Sequence, residues 1–373
     1  MERFERARLD RYFTCVIDGL GVGQPLAVFV VTHLLPERPA FLRAAARVAD
    51  VRAVLPKPKS LDGEARREIE GWLSCDELSR DRFADPETAV AYLEQRANGE
   101  RVAFLDVGGY LAPSLRAVCS AFSGEIVGVV EDTENGLRRY LDRGKPPCPV
   151  FSVARSPLKE PEDYLVGQSV VFSTEALIRS RGGILQGGAA CVIGFGKLGS
   201  SIARTLHAKH VRVTVYDRDP VRMIHAFSQG FRTASTLREA LEDAGVVMCA
   251  TGNLSLRGDD FTRLRNGAYV ASVTSSEDEL DLDALDELYE RTPAGEHVTR
   301  YSTTGHFFYV LNRGNAVNFL HGACVGAFIH LVQAEILAAT AQLTRNDLEP
   351  GFHEVDAQTR RRVAATWLDC FAR

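Results

Sequence analysis

The sequence has no C-x-x-C pair, although it contains eight cysteines among 373 residues. Cysteines scattered in this way argue against a zinc site and against the disulfide frameworks of short secreted chains. A basic excess is also lacking, since 44 basic and 49 acidic side chains give a formal net charge of −5. Nucleic acid and anionic membranes both select clustered positive charge, so we expect neither as a partner. The cysteine pattern leads us to expect no bound metal.

A long, purely apolar run is absent as well. The longest candidate, residues 323–341, contains His330, Gln333 and Glu335, which favours a buried helix over a membrane span. The N-terminal segment carries charges where a signal peptide has its apolar core. These absences predict a cytoplasmic protein.

Strand-like and helix-like segments alternate along the chain, which is typical of α/β folds built on parallel sheets. An acidic run at 277–290 predicts a solvated amphipathic face. The length and the repeated units indicate two doubly wound α/β domains. Predicted strands cover 26–31, 51–55, 102–105, 125–130, 150–153, 189–193, 211–216, 245–250 and 267–273, and predicted helices cover 38–48, 113–122, 133–142, 170–179, 198–209 and 220–229.

The glycines at 194, 196 and 199 form a G-x-G-x-x-G motif between a predicted strand and a predicted helix. In a Rossmann domain these glycines allow a tight turn, the approach of a pyrophosphate and close helix packing. The next predicted strand ends at Asp217, where an acid favours NAD over NADP, although Arg218 follows it. The alternative is a glycine turn that binds nothing. The predicted dinucleotide contacts are Gly194, Gly196, Lys197, Leu198, Gly199, Asp217, Arg218, Thr251, Gly252, Asn253, Val273 and Thr274.

Several motifs together resemble those of the S-adenosylhomocysteine hydrolase family. Segments 192–199, 216–220, 251–253, 266–272 and 311–318 match the NAD-domain pattern of that family in order and spacing. Segments 32–37, 105–109, 128–133 and 153–167 are similar to its substrate-domain motifs.

The resemblance implies an NAD-binding Rossmann domain, 166–320, inserted into a substrate domain formed by 1–165 and 321–373. It also implies a small-molecule adenine nucleoside as substrate. Bound NAD oxidises the 3′-hydroxyl transiently, a base removes the C4′ proton, the 5′ substituent leaves, and the cofactor is regenerated in each cycle. Members of the family form homo-oligomers, so we expect a dimer or a tetramer.

The matching positions suggest individual roles. Lys159 and Asp163 act on the ribose hydroxyls, His33 handles protons at the 5′ group, and Asp132 lies near the ribose. For Lys159 and Asp163 the alternative is a helical ion pair, and for His33 it is an ordinary loop histidine. The resemblance assigns substrate binding to Glu37, Asp106, Thr133, Ser275 and His321, and further NAD contacts to Thr133, Asn135 and Asn318.

Several positions depart from the family pattern, and four of them bear most on the chemistry. Val107 replaces the second aspartate of the L-D-D-G-G turn, Ser275 replaces a histidine, and Ala154 and Tyr164 replace asparagines. Valine cannot transfer a proton and serine does not titrate near neutrality, so water addition and thiol handling are impaired. We therefore expect a nucleoside dehydratase or lyase, with His33 as the general acid. The alternatives are a conventional S-adenosylhomocysteine hydrolase, a non-catalytic NAD- or nucleoside-binding paralogue, and a simple dehydrogenase.

Overall fold

A computed structural model describes residues 3–273, 279–321, 325–345 and 347–373. The chain forms two compact units, unit 1 from Met1–Lys159 with Ala327–Arg373 and unit 2 from Glu160–Gly326. Unit 2 is therefore an insertion in the sequence of unit 1. The borders after 159 and 326 compare with the predicted borders after 165 and 320.

Unit 1 contains a six-stranded parallel sheet in the order β14-β5-β4-β3-β1-β2. Along β1, Val28 and Val30 enter one hydrophobic cluster, whereas Phe29 and Val31 enter another. Both faces of the sheet are thus covered, which explains the nearly continuous apolar sequence of this strand. The strands are β1 Ala27–Leu34, β2 Asp50–Leu61, β3 Arg101–Asp106, β4 Glu125–Glu131, β5 Pro149–Ser152 and β14 Gly351–His353.

The helices of unit 1 lie on both sides of this sheet. The predicted helix 38–48 is confirmed with the same bounds. The helices are α1 Arg3–Asp18, α2 Arg38–Val48, α3 Gly63–Glu70, α4 Arg80–Ala84, α5 Pro86–Ala97, α6 Leu115–Ala121, α7 Glu134–Leu141, α13 Ile329–Leu343 and α14 Ala357–Trp367.

Strand β2 is longer than predicted, because it continues through Pro56 and Pro58 to Leu61. The predicted end of this strand at Leu55 is wrong. Strand β2 forms an edge of the sheet, and an edge strand tolerates residues that cannot donate a backbone hydrogen bond.

Residues Gly326–Leu343 form the one helical segment within the described ranges that is long and apolar enough to cross a membrane, and 72% of it is buried inside the protein. Its α13 part supplies much of the first hydrophobic cluster of unit 1. The prediction of a buried helix is confirmed.

Unit 2 contains an eight-stranded sheet in the order β11-β12-β13-β10-β9-β6-β7-β8. From β13 to β8 every pairing is parallel, and this part has the 3-2-1-4-5-6 strand order of a Rossmann fold. The order reverses at β6, so the carboxyl end of β6 is the expected ligand position. The strands are β6 Ala189–Ile193, β7 Arg212–Tyr216, β8 Arg232–Thr233, β9 Val246–Cys249, β10 Ala268–Ser272, β11 Glu290–Pro293, β12 Val298–Thr303 and β13 His306–Leu311.

The first helix of unit 2 begins ten residues before the predicted start at 170, at Glu160. The predicted solvated face in 277–290 is wrong for Glu279, whose exposed fraction is 0%. Leu280 and Leu285 are buried, with exposed fractions of 5% and 0%, as the apolar side of an amphipathic segment. The helices are α8 Glu160–Arg179, α9 Lys197–Ala208, α10 Pro220–Ser228, α11 Leu237–Leu241 and α12 Gly258–Phe261.

Candidate active site and cofactor site

Two buried carboxylates lie at the carboxyl edge of the unit 1 sheet. Glu131, at the end of β4, accepts hydrogen bonds from the backbone N–H groups of Gly108 (3.1 Å), Gly109 (2.9 Å) and Thr133 (2.7 Å). Asp106, at the end of β3, accepts from the Tyr140 hydroxyl at 2.7 Å. These contacts fix the turn after β3 and the start of α7.

Burial and the negative charge of Asp106 raise the pKa of Glu131 to about 8, and burial raises the pKa of Asp106. Two carboxyl groups in one dry site cannot both ionise cheaply, so the pair holds a proton at neutral pH. Asp106 is only 1% exposed and its Oδ2 is used by Tyr140 and by the backbone of Leu111. Its Oδ1 is buried without a hydrogen-bond partner in the described structure, and the predicted contact of Asp106 with the substrate stays a prediction.

Thr133 is the N-cap of α7. Its hydroxyl donates to Glu131 at 2.7 Å and accepts from the Gly136 N–H at 3.0 Å. Asn135 is half-buried in the first turn of the same helix.

Lys159 pairs with Asp132, with 3.1 Å between Nζ and Oδ1, and both side chains are largely buried. Lys159 ends a short 3-10 helix that follows Ser156, whose hydroxyl bonds to the buried carboxylate of Glu335 on α13. Two predicted catalytic residues are thus brought together in unit 1. Asp163 instead lies in the first turn of α8 in unit 2 and pairs with Lys197, at 3.2 Å.

His33 lies at the carboxyl end of β1, where its Nδ1 is hydrogen-bonded to the Ser60 hydroxyl at the end of β2. Burial, followed by the positive charges of Lys57, Arg38 and Lys159, lowers the pKa of His33 well below its ordinary value. The imidazole is therefore neutral near pH 7. The role of His33 as a general acid stays a prediction, and its lowered pKa leaves little imidazolium at neutral pH to serve that role.

Glu37 is half-buried and directly precedes α2. Its carboxylate lies 3.8 Å from the guanidinium of Arg38. Glu37 thus lies at the same edge of the sheet as His33. Its contact with an adenine amino group stays a prediction.

The glycine motif of unit 2 forms the turn between β6 and α9. A Cβ on Gly199 would lie 1.8 Å from the carbonyl oxygen of Gly194, and a Cβ on Gly194 would lie 2.6 Å from that of Ala250. Gly194 also has a φ of 93°, which side chains disfavour. At Gly196 the nearest atom would be Arg222 Nη1, at 3.5 Å, so the space above this glycine is open.

Asp217 follows β7 and connects this turn to the next strand. Its Oδ2 accepts from the Phe195 N–H at 2.7 Å and lies 3.6 Å from Arg222. Arg218 points away from the core and is exposed. The predicted acid therefore sits beside the glycine turn, as a ribose contact requires.

Glu279 was missed by the sequence analysis. Its carboxylate accepts from the Gly252 N–H at 2.6 Å, from the Thr251 hydroxyl at 3.1 Å and from the Ser255 hydroxyl. It thereby fixes the loop that follows β9 and contains Asn253.

Asn318 and Val273 are both buried, with exposed fractions of 6% and 7%. The Oδ1 atom of Asn318 is buried without a hydrogen-bond partner in the described structure, as expected of a ligand contact. His321 bonds to Ser173 on α8, at 3.0 Å. Thr274 and Ser275 lie outside the described residues.

Comparison with known proteins identifies this arrangement. Residues 164–324 match the family described as S-adenosyl-L-homocysteine hydrolase, NAD binding domain. The match covers nearly all of unit 2, which spans Glu160–Gly326. Its glycine turn, the neighbouring Asp217 and the orphaned amide oxygen of Asn318 fit a dinucleotide, and NAD is the cofactor.

The relatives extend the match beyond this NAD-binding domain. S-inosyl-L-homocysteine hydrolase of Methanopyrus kandleri is 28% identical over 260 residues, which is 65% of this chain and 59% of that protein. Adenosylhomocysteinase of Thermotoga maritima is 31% identical over 226 residues, which is 58% of this chain and 55% of that protein. The chain thus spans less than 60% of the length of these curated relatives.

Among solved structures, the NADPH-dependent glyoxylate/hydroxypyruvate reductase of Sinorhizobium meliloti has a TM-score of 0.42 at 16% identity. The alignment covers 84% of this chain and 94% of that chain. The Rossmann fold of the NAD-binding domain itself follows from the strand order given above.

Proposed function

We propose that the protein is an NAD-dependent enzyme that eliminates the 5′ substituent of an adenine nucleoside, as a nucleoside dehydratase or lyase. The observation that carries this proposal is the buried Lys159–Asp132 pair, at the sheet edge that also bears His33, in a chain with an S-adenosyl-L-homocysteine hydrolase NAD-binding domain. NAD, when bound, would accept hydride from C3′ and return it at the end of the cycle.

The Lys159–Asp132 pair is suited to act on the 3′-hydroxyl of the substrate. A buried ammonium held at 3.1 Å from a carboxylate places a proton donor and a proton acceptor side by side. Removal of the hydroxyl proton requires an acceptor, and the resulting ketone oxygen requires a donor. One pair can serve both needs.

The side chains expected near the 5′ group of the substrate favour elimination over hydrolysis. A neutral His33 can accept the proton that the 3′-ketone acidifies at C4′. Val107 is apolar and 6% exposed where the related enzymes would need a second titrating group to activate water. The reaction that these side chains favour ends at the alkene.

A conventional hydrolase is the second candidate, because the matched relatives are named as homocysteine-nucleoside hydrolases. It differs from the dehydratase in its leaving group, a thiol instead of water, and in adding water to the alkene after the elimination.

One experiment separates the two. The purified NAD-loaded protein is incubated with adenosine, S-adenosylhomocysteine or S-inosylhomocysteine, and the products are followed by mass spectrometry and by a free-thiol assay. We expect loss of water from a 5′-hydroxy adenine nucleoside and no sustained thiol release. Sustained thiol release would instead support the hydrolase, and no turnover of any nucleoside would refute both.

A further inference from the structure

The turn after β3 lies between a carboxylate and two cations. Glu131 accepts from the N–H groups of Gly108 and Gly109, as described above. On the carbonyl side, Lys57 Nζ donates to the Val107 carbonyl at 3.2 Å, and Arg139 Nη1 donates to the Gly108 carbonyl at 2.7 Å. The ammonium group of Lys57 thus reaches the backbone of Val107, the turn residue that stands where the family pattern has an aspartate.

Lys57 reaches this turn by crossing the end of a neighbouring strand. It belongs to β2, whereas Val107 follows β3, and β1 lies between these two strands. Thr32 of β1 pairs with Pro56 of β2, and the register then shifts so that Leu34 pairs with Leu61. Lys57 therefore lies at the start of the irregular stretch of β2 that runs beside His33. The half-buried side chain of Lys57 therefore passes over the carboxyl end of β1, where His33 lies.

We propose that Lys57 is the general acid that protonates the departing 5′ group, in place of the acid missing at Val107. The inference rests on the proposed function and answers which residue completes the elimination. An ammonium is protonated at neutral pH and has a proton to give, whereas a guanidinium does not give one up in proteins.

The other cations near His33 are unsuited to this role. Arg38 is a guanidinium, 6% exposed, and stays charged. Lys159 is held by Asp132, and the proposed function uses this pair at the 3′-hydroxyl. Lys57 is the remaining cation of the three whose charges act on His33.

The step balances as follows. In the 3′-keto nucleoside the C4′–H and C5′–O bonds break, and the C4′=C5′ bond forms. His33 takes the C4′ proton and becomes an imidazolium, while Lys57 gives a proton to the departing hydroxide, which leaves as water. Transfer of the proton from the imidazolium to the Lys57 amine restores both groups.

The test compares leaving groups in the NAD-loaded protein. The substrates are adenosine, whose hydroxide must be protonated to leave, and 5′-chloro-5′-deoxyadenosine, whose chloride leaves without a proton. With adenosine, Lys57→Gln should slow alkene formation by about 10²- to 10⁴-fold, the usual contribution of a general acid. Exchange of the C4′ hydrogen with solvent deuterium should persist, and the chloride should be eliminated at the rate of the unchanged protein.

Lys57→Arg separates acid catalysis from positioning, because arginine keeps the charge and can still donate to the Val107 carbonyl. We expect Lys57→Arg to be as slow as Lys57→Gln with adenosine. The exposed Lys145→Gln serves as the matched control and should leave all rates unchanged.

Restored elimination in Lys57→Arg, or an equal loss with chloride and with hydroxide, would overturn the acid role and leave the proposed function intact. Absence of any reduction of bound NAD by adenosine in the unchanged protein would overturn the proposed function and this role with it.

Discussion

Two alanine substitutions in one glycine motif should differ sharply in their effects on stability. In Gly199→Ala the new methyl carbon would lie 1.8 Å from the Gly194 carbonyl oxygen, whereas real Cβ atoms essentially never come within 3.0 Å of a neighbour. Helix α9 and the turn must therefore separate by about 1.2 Å. Overpacking of this kind costs about 1–3 kcal/mol. We expect about 3 kcal/mol, since the opposing atom belongs to the backbone and cannot rotate away.

In Gly196→Ala the same methyl group meets only Arg222 Nη1, at 3.5 Å, and the φ of −77° and ψ of −160° suit alanine. The free energy of unfolding should therefore change by less than about 1 kcal/mol. NAD binding should still weaken, because the second glycine of this motif leaves room for the pyrophosphate. Loss of one hydrogen bond to a charged group, about 1.5–3 kcal/mol, corresponds to roughly a 10- to 100-fold loss of affinity.

Urea unfolding of both variants, with NAD removed, measures stability, and calorimetric titration with NAD measures affinity. A Gly199→Ala variant as stable as the unchanged protein would show that the turn and α9 are not packed as described. NAD affinity unchanged in Gly196→Ala would place the pyrophosphate elsewhere.

Three further predictions concern buried charges. The free energy of unfolding should fall as the pH rises from 4.5 to about 8, because folded Glu131 keeps its proton to a higher pH than the unfolded chain does. Glu131→Gln should flatten that part of the pH profile in urea titrations, and parallel profiles would contradict the shared proton. Lys159→Ala should abolish reduction of bound NAD by adenosine while the NAD content of the purified protein stays normal, and an unchanged rate would remove Lys159 from the reaction. Glu279→Gln should destabilise the protein by about 1–3 kcal/mol, because it places an amide donor among donors, and should weaken NAD binding. Unaltered NAD affinity would separate the Gly252 loop from the cofactor.

The NAD-binding domain could be predicted well, because its signals are local. Strand β6 was predicted with its observed bounds, since an apolar strand, a glycine turn and a helix follow one another directly between Ala189 and Ala208. The alternation of strand-like and helix-like segments along the chain likewise predicted two α/β domains.

What could not be predicted depends on contacts between distant residues. Glu279 stands in an acidic run that is typical of a solvated face, and its partners Gly252 and Thr251 precede it by 27 and 28 residues. Lys57 and Val107 are 50 residues apart, so nothing local connects the lost acid with a cation. Lys159 and Asp163 have helical spacing, yet each pairs with a residue far from it in sequence.

The position of the insertion has a consequence for biosynthesis. When the ribosome has made Met1–Lys159, the first unit still lacks strand β14 and the apolar helix α13. Both elements follow unit 2 in the sequence and are made after it. Until then, Val28, Val30 and their apolar neighbours are exposed, because the helix that later covers them has not been made. Unit 2, by contrast, is contiguous and can fold as soon as it emerges, since domains generally fold as units during synthesis. Truncation after residue 326 should therefore yield a well-folded nucleotide domain attached to an aggregation-prone stub.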